Sequence, residues 1–267
     1  MTRGYAFLFT LLLGAAPATA ALYTQTVAYH DSDTLLEGYL AYDDAIATRR
    51  PAVLVVHEWQ GLGDYAKHRA EQLAQLGYVA FAADMYGKGV FAKDHEEAGK
   101  LAGAYFNDRA KTRQRIQAAL DIVEQQPQVD PARIAAIGYC FGGMTVLELA
   151  RSGAPVAGVA SFHGVLQTPT PAQPGQVKAR VLVFHGALDQ HVTAEHVAAF
   201  KKEMEDAGVS YRVVVYPQAA HSFTVPDAGD DVTTGRAYNA AADRDSWQQL
   251  EQFLREIFGT AALAAAH

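Results

Sequence analysis

The stretch "GYCFGG", Gly138 to Gly143, decides the fold. It follows the apolar run "RIAAIGY" (133 to 139), precedes the helix-forming "MTVLELA", and contains the chain's only cysteine. In the pattern Gly-x-nucleophile-x-Gly, a sharp strand-to-helix turn lifts the middle residue above the sheet. A side chain at Gly138 or Gly142 would crowd that turn. A helix N-terminus beneath the sulfur favours a thiolate, and its backbone N–H groups suit a developing oxyanion. The competing reading of Cys140 is an inert buried thiol, the usual fate of a free cysteine.

Outward from this turn, apolar β-rich runs alternate with longer amphipathic stretches, the pattern of an α/β protein with a mostly parallel sheet and helices on both faces. "YTQTVAY" and "LLEGYLAY", joined through "HDSDT", read as an antiparallel hairpin. After it come "AVLVVH" (52 to 57), "YVAFAAD" (78 to 84), the run before the cysteine, "PVAGVASF" (155 to 162), "RVLVFHG" (180 to 186) and "YRVVVYP" (211 to 217). Most are continuously apolar, as strands buried on both faces are. Helices are expected in "DYAKHRAEQLAQLG" with Asp64 as cap, in "NDRAKTRQRIQAALDIVEQQ", in "TAEHVAAFKKEMEDAG" with Thr193 as cap, and from Ala237 to Phe258. At His196 a full capping box would have Glu or Gln. "QTPTPAQPGQ" (167 to 176) is a proline-interrupted loop and "AALAAAH" a frayed tail.

The first twenty residues combine Arg3, an apolar middle and a small-residue close at Ala18 and Ala20, which predicts a secretory signal cleaved before Ala21. The 247 residues from 21 to 267 are expected to form one domain, periplasmic or secreted. The formal charge of −7, or −8 without Arg3, points to neither nucleic acid nor an anionic membrane as partner, and a monomer is expected. One cysteine cannot close an internal disulfide.

A thiol nucleophile needs a base, and the base an orienting acid. "VLVFHGALDQHV" places Asp189 after one strand and "VVVYPQAAHSF" places His221 after the next. In an open parallel sheet those loops share an edge with the cysteine turn. Alone, each is an ordinary loop residue; in this order they converge.

Through "HEWQGL", "ADMYGKG", "GYCFGG", "HGALDQHV" and "AAHSF", over nearly the whole mature chain, the sequence resembles the dienelactone hydrolase family of α/β-hydrolases. That resemblance implies the α/β-hydrolase fold and cleavage of a small ester or lactone without cofactor or metal. It implies Cys140 as nucleophile, His221 as general base, Asp189 as its partner, and Glu58 as a carboxylate contacting the cysteine. It also implies the backbone N–H groups of Phe141 and Trp59 as oxyanion hole. One feature departs from the family: an arginine that holds a substrate carboxylate downstream of the histidine is Val225 here, and 93 to 100 holds Lys93 and Lys100 but no arginine. A substrate without that carboxylate is the favoured explanation, because lysine does not reproduce a bidentate clamp. Tyr86, His163, Val225 and Trp59 are pocket candidates on the same edge.

Other classes compete. "GLGDYA" (61 to 66) with Asp84 beyond it matches a dinucleotide fingerprint, but bulky "EWQ" stands where a tight turn is wanted. "HEWQG" begins like a zinc motif yet has Gly61 where the second histidine belongs, and His185, His191 and His196 fall on separate elements. A non-catalytic small-ligand binder on the same fold would carry the same residue types.

Overall fold

The computed structural model describes residues 22–259. The expected signal sequence and the alanine-rich tail therefore lie outside the described residues. Eight strands form one sheet in the order β1-β2-β4-β3-β5-β6-β7-β8. The opening hairpin is β1 (Leu22–Asp31) and β2 (Thr34–Asp43), paired from Leu22 with Asp43 to Asp31 with Thr34. β2 runs antiparallel to β4 (Val79–Ala83). From β4 onward, neighbours are parallel: β3 (Arg50–Val56), β5 (Val129–Tyr139), β6 (Gly158–Phe162), β7 (Arg180–Gly186) and β8 (Tyr211–Tyr216).

β3, β4 and β6 are buried at every residue because helices cover both faces. Alternate residues feed two cores. Leu54, Val56 and Phe81 join the one that includes Ile116 and Leu120, whereas Val53, Val55 and Ile137 join the one that includes Leu250 and Leu254.

The helices are α1 (Asp64–Gln75), α2 (His95–Phe106), α3 (Arg109–Glu124), α4 (Phe141–Arg151), α5 (Ala194–Asp206) and α6 (Ala240–Phe258). Three local expectations are corrected. α1 is capped by Gly63, and Asp64 is its first helical residue, where a carboxylate still suits the positive end of the dipole. α6 starts at Ala240 rather than Ala237, because Arg236 pairs with His221 and Asn239 N–H is bound to Phe223 O at 3.0 Å. α2 is an additional helix, capped by Asp94, whose carboxylate accepts the Glu97 N–H at 2.8 Å. At α5 the histidine serves as the missing box partner: His196 Nδ1 accepts the Thr193 N–H at 3.1 Å.

Candidate active site

Cys140 sits between β5 and α4 with φ 52° and ψ −111°, a left-handed conformation costly for a residue with a Cβ. Its surroundings enforce that geometry. Cys140 N–H donates to Phe162 O at 3.0 Å. A Cβ on Gly138 would stand 2.1 Å from Gly142 O, and one on Gly142 would stand 2.2 Å from Val56 O. Only glycine permits the turn to fold back on itself and press against the end of β3. Two other non-glycine residues on this edge, His163 (φ 41°) and Ser222 (φ 55°), are also left-handed. Such strain persists only where surrounding structure over-determines it.

The end of β3 brings Glu58 and Trp59 to the turn. His57 is buried and neutral, because burial pushes its imidazole down to about 4. Its Nε2 accepts the Met85 N–H at 3.3 Å and its Nδ1 faces the Glu58 carbonyl. The imidazole stacks 5.7 Å from the Phe141 ring, and Tyr86 Oη donates to Trp59 O at 2.8 Å. The strand exit and the first residue of α4 thus stand side by side with their main chains fixed.

Asp189 and His221 meet from the exits of β7 and β8. His221 Nδ1 lies 2.8 Å from Asp189 Oδ2. The other carboxylate oxygen accepts the N–H groups of His191 at 2.7 Å and Val192 at 3.1 Å. Burial would raise this carboxyl, but the His221 bond and these N–H donors hold it below its usual value. For His221, burial acts downward and is overcome by the neighbouring Cys140 sulfur and by Asp189, which together hold the imidazole well above its usual range. Its backbone is clamped too: His221 N–H donates to Gly235 O, and Ala237 N–H to His221 O, both at 3.0 Å.

Burial pushes the Glu58 carboxyl up, against the pull of His221, of Arg236 and of the Ser222 hydroxyl, which donates to Oε1 at 3.2 Å. A cavity of about 200 Å³ opens beside it, walled by Glu58, Gln60, Phe91, Val225, Asp227 and Arg236 among others. Of the pocket candidates, Val225 lines this cavity. Tyr86 is turned into the core against His57, Phe141 and Tyr105, and His163 stands behind His221 at 5.3 Å between rings. Lys93 and Lys100 are exposed and line no part of it; Lys100 pairs with Glu96 at 2.6 Å. The cation in the wall is Arg236, which no motif singled out, since it arrives on the long loop between β8 and α6.

The dinucleotide reading fails on the same edge. A Cβ on Gly63 would meet the Phe91 ring at 2.8 Å, so an aromatic side chain fills the place where a pyrophosphate would approach. Asp84 is spent on backbone, accepting the N–H groups of Tyr86 and Gly87, both at 2.9 Å, and of Glu37 at 3.1 Å.

A mostly parallel sheet with a glycine-flanked cysteine turn after β5, an aspartate after β7 and a histidine after β8 has the architecture of an α/β-hydrolase. The model of the dienelactone hydrolase family matches residues 36–258, and the chain belongs to that family. It is 40% identical to the solved structure described as "m3DLH", with a TM-score of 0.85 over 90% of this chain and 100% of that one. It is 41% identical to a dienelactone hydrolase-like promiscuous phosphotriesterase, P91, from metagenomic libraries, with a TM-score of 0.84 over 90% and 100%. A putative carboxymethylenebutenolidase from Synechocystis is 26% identical over 250 residues, 89% of this chain and 98% of that protein.

Proposed function

We propose that this protein cleaves small esters or lactones through a covalent acyl-enzyme on Cys140. The observation that carries the reading is the His221–Asp189 contact at 2.8 Å, on the edge where the elbow presents the cysteine. His221 takes the Cys140 proton as general base, with Asp189 fixing the ring's tautomer and orientation. The thiolate attacks the acyl carbon, and the carbonyl electrons move to oxygen, which the N–H groups of Phe141 and Trp59 receive. Collapse breaks the bond to the alkoxide, which takes the proton from His221 Nε2. Water then gives a proton to His221 as it attacks the thioester, and the thiolate leaves as the acid forms.

The cavity beside Glu58, lined by neither Cys140 nor His221, bears on substrate scope through its charges. Arg236 stands in its wall with Glu58 and Asp227, two carboxyl groups to one guanidinium. A neutral ester or lactone suits this balance better than a carboxylated one, whose buried charge would lack a partner. The test is a screen of p-nitrophenyl esters, small lactones with and without a carboxylate, and a neutral phosphotriester. The phosphotriester is included because a 41% identical protein is described by that activity. Wild type should turn over neutral short-chain esters at least as well as carboxylated analogues, and Cys140→Ala should not. Equal turnover by both proteins would refute the nucleophile assignment.

A further inference from the structure

Behind His221 lies a set of polar contacts that the acyl-transfer chemistry does not itself require. Thr224, three residues beyond the histidine and fully buried, is its centre. Tyr65 Oη on α1 lies 2.7 Å from Thr224 Oγ1 and 3.1 Å from Thr224 O. Arg69, one turn further along α1, donates from Nε to Tyr65 Oη at 3.2 Å and from a terminal nitrogen to Thr224 O at 3.3 Å. That guanidinium is itself held by Asp243 of α6 and lies over the rings of Tyr65, Tyr139 and Trp247. From the β6 side, His163 Nε2 lies 2.8 Å from Thr224 Oγ1.

We propose that Thr224 is a positioning residue for His221: its hydroxyl ties the histidine loop to α1 and sets the His163 ring that backs the imidazole. The proposal rests on the reading that His221 serves Cys140. His163 Nδ1 is enclosed and has no partner among the described residues. The tautomer protonated on Nε2 leaves only a lone pair unpaired there, rather than an N–H, so Nε2 donates to Thr224 Oγ1. The hydroxyl oxygen's two lone pairs then accept both His163 and Tyr65. His163 is held edge-on to His221, with ring centroids 5.3 Å apart and planes at 64°. His191 also stands edge-on to it, 5.2 Å away at 79°. The imidazole is thus gripped by Asp189 through one nitrogen and by two rings, and one of those rings takes its orientation from Thr224. Burial, with the charges of His221, Arg69 and Arg236, keeps His163 neutral, so it adds no competing charge.

No motif marks this position, because the hub joins residues about 60 and 160 positions apart. The left-handed backbone of Ser222, φ 55°, explains why such a hub is needed. A loop that enters this conformation directly after the histidine must be anchored to stay there.

The test compares wild type, Thr224→Val and Thr224→Ser in two assays: kcat and KM on a p-nitrophenyl ester, and the pH profile of Cys140 alkylation by iodoacetamide. Valine keeps the shape and removes the acceptor; serine keeps the acceptor. Thr224→Val should lower kcat about 10-fold or more with KM changed less than about 2-fold, since the fault lies in alignment rather than binding. Its alkylation profile should move toward that of an ordinary thiol, while Thr224→Ser tracks wild type in both assays. Superimposed alkylation profiles for valine and wild type, or an equal loss in serine and valine, would overturn the proposal. If Thr224→Val does not fold, Tyr65→Phe reads the same hub from α1. A smaller shift in the same direction supports it, and an unchanged profile overturns it. A wild type inactive on esters, with the valine shift intact, refutes the ester-hydrolase reading and leaves the positioning role standing. Wild-type alkylation like that of a free thiol refutes both.

Discussion

Glu58 carries a folding cost that its burial beyond the end of β3 imposes. Its carboxyl is raised above the unfolded value of about 4.3, so ionisation opposes folding once pH climbs through the carboxylate range. Below that range both states are protonated and the cost vanishes. Glu58→Gln keeps the Ser222 hydrogen bond and removes the charge. Its Tm should exceed that of wild type at pH 7, and the difference should close below about pH 4, as followed by thermal melts across pH. The residues of the pair behave differently. His221→Ala should lose as much kcat as Cys140→Ala, because the two act as a unit, while Asp189→Asn should retain more. Equal esterase rates in wild type and His221→Ala would mean that another base, such as Glu58, serves the cysteine. The strand-exit positions of Cys140, His221, Asp189 and Glu58 were legible because each follows an apolar run in a recognisable phrase. Arg236 and Thr224 were not, since nothing local to "GRAY" or "SFTV" announces which distant helix or loop they meet.

Among the elements, the turn into α4 and the helix α2 make opposite demands on glycine. At Gly138 the obstacle to a Cβ is backbone, 2.1 Å away, which cannot rotate aside. Gly138→Ala should cost about 3 kcal/mol or more in urea denaturation, or fail to give soluble protein. Gly99, in the interior of α2, has nothing within 4 Å of a built Cβ. Gly99→Ala should stabilise by about 0.5–1 kcal/mol through reduced freedom of the unfolded chain. The parallel strands were readable from continuous apolar runs, since a strand covered on both faces has no polar face to show. α2 is hard to read because its buried face is made of Ala98, Ala102 and Tyr105, small residues for the most part, which leave a faint helical period. Its clearest signal is the Asp94 to Glu97 spacing at its start.

Over the whole molecule, stability owes nothing to an internal disulfide, because the chain has a single cysteine. Its Tm should therefore be the same with and without dithiothreitol, a simple melt to run. We infer export from the leading segment, so material from the native host should begin at or near Ala21; an intact Met1 on cytosolic protein would reject that. The solitary thiol has a second effect, on how the protein ages. A sulfenic acid formed at Cys140 has no neighbouring thiol in its own chain to capture it, so it either waits for an external reductant or proceeds to the sulfinic acid. In peroxide, activity should decay as a single exponential, early losses should return on adding a thiol, and the recoverable fraction should shrink with exposure time until none is left.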